Sequence, residues 1–108
     1  MHQIEFHEKV SEDLMVWYNA GQVLKIIDKI YYRLSLSAEP DGRVIKRLHY
    51  IPVPVFFEYK VRRDLRAIFY VSEKTRIIRV LGCIHKGAAR KVFDRRLEIF
   101  LRRVYDFK

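Results

Sequence analysis

The sequence predicts an α+β fold: an N-terminal strand, a helical hairpin, an antiparallel sheet of three to four strands and a C-terminal helix, in one domain spanning residues 1–108. Three observations lead there. Glu58 to His85, reading EYKVRRDLRAIFYVSEKTRIIRVLGCIH, alternates along three strand-length runs joined by two turn-like segments. Apolar residues recur with a helical period between Ser11 and Ser37, and again from Phe93 onward. Between these blocks SAEPDG, residues 37–42, concentrates breakers and turn formers, which mark an exposed loop.

Taken in order, Gln3 to Phe6 sets Ile4 and Phe6 on one face and Gln3 and Glu5 on the other, a short strand able to stand at a sheet edge. Ser11 precedes Glu12 and Asp13, an N-cap with carboxylates in the first turn where the helix dipole favours them. Leu14, Trp17 and Tyr18 then follow helical spacing, and Gly21 stands where a short helix ends. From Gln22 to near Ser37, a second helix turns Val23, Leu24, Ile27, Ile30, Tyr31 and Leu34 inward, with Lys25, Asp28, Lys29 and Arg33 largely outward. Gly21 is the elbow of this hairpin, and one kinked helix accounts for the pattern nearly as well. Arg43 to Tyr50 alternates weakly around Val44 and Leu48, a connector that can hold a short strand, and Pro52 and Pro54 deny regular ladder donors to the next few residues. Phe93, Leu97, Phe100, Leu101 and Val104 form the apolar stripe of the closing helix.

Register in the central stretch follows from keeping aliphatic side chains together, because a one-residue slip moves every side chain to the other face. A two-residue loop at Glu73 and Lys74 makes Phe69 oppose Ile78 and Ile68 oppose Arg79. Ala67, Phe69, Val71, Ile78, Val80 and Ile84 then share the core face. A three-residue loop of Arg63, Asp64 and Leu65 makes Arg62 oppose Arg66 and adds Tyr59 and Val61 to that face. The other face collects Lys60, Arg62, Arg66, Arg79 and His85. Like charges so placed are destabilising, and an anionic ligand relieves them.

The chain carries a net charge of +9, unevenly distributed. Residues 1–42 hold four Lys/Arg against seven Asp/Glu, whereas residues 43–108 hold eighteen against six. A basic half of this kind favours nucleic acid or an acidic protein partner. No run approaches the ~20 apolar residues of a membrane span, and the amino terminus has no apolar stretch behind a basic start, so a cytoplasmic protein without membrane association is expected. Cys83 is the only cysteine, which excludes an internal disulfide, and its apolar strand marks it as a packed thiol. His2, His7, His49 and His85 are scattered without a tight carboxylate pair, so neither metal nor cofactor is expected.

The order of parts, with EYKVR in one strand, RAIFYV in the next and a basic IHKGAARKVF after the last, resembles the RelE/ParE superfamily of bacterial toxins, which are encoded beside an antitoxin. The resemblance covers almost the whole chain and is best over residues 57–93. It implies Lys60 and Arg62 at basic catalytic positions of the RNA-cleaving members, Arg66 at the phosphate-binding arginine, and His85 or Lys86 at the basic position after the last strand. Phe93 stands where those members usually keep a catalytic tyrosine or histidine, and it cannot exchange a proton; His85, or Tyr105 if the tail folds back, is the substitute.

The implied activity is a metal-independent endoribonuclease acting on mRNA, on the ribosome, in which an RNA 2′-hydroxyl attacks the phosphate. Arg66 and Arg79 are expected to hold the phosphate, Lys60 to serve as general base and His85 as acid or base. Arg63, Lys86, Arg90 and Lys91 extend the RNA-binding surface, and the protein partner is an antitoxin. Two alternatives keep the same fold: a ParE-like toxin directed at DNA gyrase, and a non-catalytic module that binds nucleic acid or protein.

Overall fold

A computed structural model describes residues 3–48, 55–85 and 90–107, with side chains of the last segment from residue 96 onward. The elements are β1 (Ile4–Phe6), α1 (Val10–Met15), α2 (Ala20–Leu36), β2 (Ile45–Leu48), β3 (Phe56–Arg62), β4 (Leu65–Val71), β5 (Ile78–His85), α3 (Arg90–Arg103) and a 3-10 turn, Val104–Asp106. The α+β class and element order are those read from the sequence. The sheet is larger and mixed: five strands in the order β1-β5-β4-β3-β2, with β1 parallel to β5 and the other pairs antiparallel.

The hairpin differs from the expected one at its elbow. α1 begins at Val10 without a side-chain cap, and the break falls at residues 16–19. Gly21 lies inside the first turn of α2, because Asn19 and Gln22 close a capping box that starts that helix. Asn19 Oδ1 accepts from the Gln22 amide at 2.9 Å and Gln22 Oε1 accepts from the Asn19 amide at 3.0 Å. α2 buries Val23, Ile26, Ile30 and Leu34, while Leu24 and Tyr31, expected inward, are exposed.

Both faces of the sheet are covered. Under α1 and α2 lie Ile45, Tyr59, Val61, Leu65, Ala67, Phe69, Ile78, Val80 and Cys83. The opposite face buries Phe56, Ile68, Tyr70, Leu81 and Ile84 with Leu97 and Phe100 of α3. That second core corrects the expectation of an open charged face: the C-terminal stripe packs there, and the strands are apolar on both sides, as doubly covered strands are.

Two bulges set the register. The 72–77 loop is longer than the two residues expected, closed by the Ser72 amide on Ile77 O (2.9 Å) and the Arg76 amide on Ser72 O (2.7 Å), with Arg76 at φ 60°. Phe69 therefore faces Val80 rather than Ile78, a shift of two that preserves the faces. A bulge at Ile68/Phe69 then leaves Leu81 unpaired, which brings Cys83 to the α1/α2 core and sends Ile84 to the other, the reverse of the expectation. In β3 an irregularity between Lys60 and Arg62 makes Arg62 oppose Leu65, not Arg66, across a two-residue turn of Arg63 and Asp64. In an unbroken ladder that turn would bury Lys60 and Arg62. The bulge leaves both exposed and Tyr59 and Val61 buried.

Because β1 is only three residues long, β5 has backbone groups beyond it that need partners. Side chains from both helical layers supply them. Asp13 Oδ2 accepts from the Cys83 amide (3.2 Å), and Arg103 Nη1 donates to Leu81 O (2.9 Å). Asp13 and Arg103 meet in a bidentate pair at 2.7 and 3.0 Å, with 4% and 8% of their side chains exposed. Gly82 makes room for it: a Cβ there would lie 2.4 Å from Phe100, 2.5 Å from Asp13 Oδ2 and 2.6 Å from Arg103 Nη1.

The 37–42 loop is tied by Asp41, whose Oδ1 accepts the amides of Arg43, Val44 and Ile45 at 2.8 to 3.0 Å. Those donors, Arg43 first, lower its carboxyl from 3.8 to about 2. A depressed folded value stabilises the protein above the unfolded value and ceases to do so as pH falls through about 2. Asp41→Ala is therefore expected to lower the melting temperature at pH 6, with the difference closing near pH 2; an equal difference at both pH values would contradict this.

Candidate nucleic-acid interface

At the β3–β4 turn, the sheet ends in a concentration of positive charge. Lys60, Arg62, Arg63, Arg66 and His85 all lie within two residues of that turn or register-pair with a residue that does. The two bulges distribute them over both sides of the sheet end. Lys60 pairs with Arg66 on the α3 side, whereas Arg62 and His85, both paired with Leu65, turn toward α1 and α2. The expectation that five basic groups share one face is corrected accordingly.

Arg66 is built into the turn. It is 6% exposed, and its Nη1 donates to the carbonyls of Arg62 (2.9 Å), Arg63 (3.1 Å) and Leu65 (3.3 Å). Through that nitrogen this arginine ties together the carbonyls of the turn that displays its neighbours. Lys60, Arg62 and Arg63 are exposed.

Arg79 is elsewhere. It pairs with Tyr70, four residues from Arg66 and about 13 Å along β4. There it donates to Tyr70 Oη (3.3 Å), approaches Glu5 (3.9 Å) and covers the Phe107 ring at 5.1 Å. With Arg47, Lys74 and Arg76 it borders a groove of about 810 Å³ that also carries Glu39 and Glu73. That mixed groove lies at the opposite end of the sheet from Arg66.

His85, with 26% of its side chain exposed, has its Nε2 3.0 Å from Asp64 Oδ2, and its ring lies 5.2 Å from Trp17 at 32°. Beside it the Arg62 guanidinium covers the Tyr18 ring at 5.3 Å. Asp64 and the two aromatics are site residues that sequence reasoning did not assign. Trp17 and Tyr18 were counted into a helix stripe, whereas they occupy the turn after α1. Cys83 is fully buried, and burial pushes its thiol upward, which fits a packed rather than a reactive group. Lys86, and the side chains of Arg90, Lys91 and Phe93, lie outside the described residues. Among the described residues, no group of three His, Cys, Asp or Glu could hold a metal ion, and no helix is long and apolar enough to cross a membrane.

A short parallel edge strand, a helical pair and an antiparallel sheet closed by a C-terminal helix are an arrangement that this chain shares with solved RelE-type structures. The chain superposes on the archaeal RelE–RelB complex from Pyrococcus horikoshii with a TM-score of 0.61 at 17% identity, covering 82% of this chain and 98% of that one. It superposes on the toxin–antitoxin complex RelBE2 from Mycobacterium tuberculosis with a TM-score of 0.57 at 16% identity, over 78% and 96% of the two chains. For the conserved hypothetical protein HP0892 from Helicobacter pylori the score is 0.50 at 14% identity, over 81% and 97%. No family model and no curated protein matches the sequence.

Proposed function

We propose that this chain is the toxin of a toxin–antitoxin pair and that it cleaves messenger RNA, on the ribosome and in the cytoplasm, with an antitoxin as its protein partner. The observation that supports this most directly is the exposed cluster Lys60, Arg62 and Arg63 beside a His85–Asp64 pair, at one end of a RelE-type sheet. One of the similar structures is a toxin–antitoxin complex and the other a RelE–RelB complex, which supports the partner.

In this reading Arg62 and Arg63 hold the scissile phosphate, Lys60 engages a neighbouring phosphate, and Arg66 positions the turn. The 2′-oxygen forms a bond to phosphorus as the bond from phosphorus to the 5′-oxygen breaks. His85, oriented by Asp64, gives a proton to the departing 5′-oxygen, and the 2′-hydroxyl proton passes to water. The products are a 2′,3′-cyclic phosphate and a 5′-hydroxyl. Positively charged donors aimed at the phosphate are each worth roughly 3 kcal/mol of barrier in well-studied enzymes.

Induced expression is expected to arrest growth and to create new 5′ ends inside translated messages. His85→Ala is expected to remove the new ends by two orders of magnitude or more while leaving RNA binding in place. Undiminished cleavage by His85→Ala would contradict the assigned role. Wild-type RNA binding without cleavage, ribosomes included, would favour the non-catalytic module, and DNA-damage signalling with messages intact would favour the gyrase-directed alternative.

A further inference from the structure

Core packing does not account for the position of Trp17. Its side chain belongs to neither core, it is 40% exposed, and its neighbours Met15 and Val16 are exposed by 57% and 65%. A large aromatic at the surface of a basic sheet end invites a ligand with a π-face.

The backbone beneath it is fixed: the amides of Trp17 and Tyr18 both donate to Leu14 O, at 3.0 and 2.9 Å. The indole therefore projects from a closed turn. One side meets the His85 imidazole, itself held at Asp64, and the adjoining position is Tyr18 under the Arg62 guanidinium. Both bulges contribute to this arrangement, since each turns one of the basic residues, Arg62 or His85, from the α3 side to the hairpin side. Aromatic faces interleaved with cations along a surface are the requirement for holding single-stranded nucleic acid, where bases stack and phosphates are neutralised in alternation.

We propose that Trp17 is a nucleobase-stacking platform: an unpaired base of the bound RNA lies on the exposed indole face, and Arg62 takes the phosphate adjoining that base. The inference rests on the RNA reading above and assigns to the same site a specificity element supplied by the helical hairpin. It makes the site selective for single strands, because a base inside a duplex has no free face to offer.

The single tryptophan of the chain provides its own probe. A 2′-O-methyl oligoribonucleotide, which cannot undergo 2′-hydroxyl attack, is titrated into the protein at low salt, with Trp17 emission and the anisotropy of an end-labelled oligonucleotide followed together. The emission is expected to quench along the anisotropy curve. Trp17→Ala is expected to weaken binding about tenfold or more without a matching loss of melting temperature, and Trp17→Phe to recover most of the affinity. An oligonucleotide of the same length lacking bases is expected to bind wild type and Trp17→Ala equally. Binding by anisotropy with unchanged emission and undiminished Trp17→Ala affinity overturns the platform and leaves the RNA reading standing. Absence of any binding overturns both.

Discussion

Replacing Asp13 by alanine is expected to destabilise the protein by about 3–5 kcal/mol, which is the cost typical of removing one partner from a buried ion pair. The variant leaves the Arg103 guanidinium, whose Nε already lacks a partner, without its carboxylate, and leaves the Cys83 amide without an acceptor. Arg96, at 3.8 Å from Asp13, loses its counter-charge as well. The pair is not thereby a net source of stability. Two desolvated ions recover little more than the cost of leaving water, so Asp13→Leu with Arg103→Met is expected to regain a substantial part of the loss. The benefit of the charged pair is registration: α1 and α3, on opposite faces of the sheet, meet through it at the gap beside Gly82. Urea unfolding of the wild type, Asp13→Leu, Arg103→Met and the double variant gives the coupling directly. An Asp13→Ala loss below about 1 kcal/mol, well short of the expected range, would show that the clamp is dispensable.

Gly82 illustrates how far the sequence could be read. A glycine inside an apolar strand signals a bulge or a close approach, and this one marks both, yet its partners lie 69 residues before it in Asp13 and 21 after it in Arg103. No local pattern links them. The strands β3, β4 and β5 and the helices α2 and α3 were legible because period-2 and period-3.6 patterns are local. β2 was legible only as the weak alternation around Leu48. The parallel pairing of β1 was not, since three residues of alternation do not state a direction.

The same division runs through the site. Residue types identified Lys60, Arg62, Arg63, Arg66 and His85, and the turn brings them to one end of the sheet. The faces of Arg62 and His85 were misassigned because the sequence does not state which residue a bulge adds, and every position beyond it reverses. Arg79 went astray for a simpler reason. Alternation places it on the same face as Arg66, and only the strand length separates them by about 13 Å. Trp17 and Tyr18 fit the helical spacing from Leu14 by coincidence, and that fit concealed two aromatics on a turn.

The different situations of Arg66 and its neighbours lead to a second large effect. Arg62→Ala with Arg63→Ala is expected to weaken RNA binding and to lower the slope of log affinity against log salt by about 1.4, since each single-strand phosphate contact contributes about 0.7. Both side chains are exposed, so the melting temperature should hardly move. Arg66→Ala should behave in the opposite manner. Losing charged donation to three carbonyls costs about 2 kcal/mol and loosens the turn that displays Arg62 and Arg63, so affinity falls while the slope changes by less than one phosphate's share. The salt slope counts ions released rather than contacts well placed, and can therefore tell a ligand of phosphate from a support of that ligand. If Arg66→Ala lowers the slope by about 0.7 with the melting temperature unchanged, the guanidinium binds phosphate in the complex, and its three carbonyl bonds belong to the free protein alone.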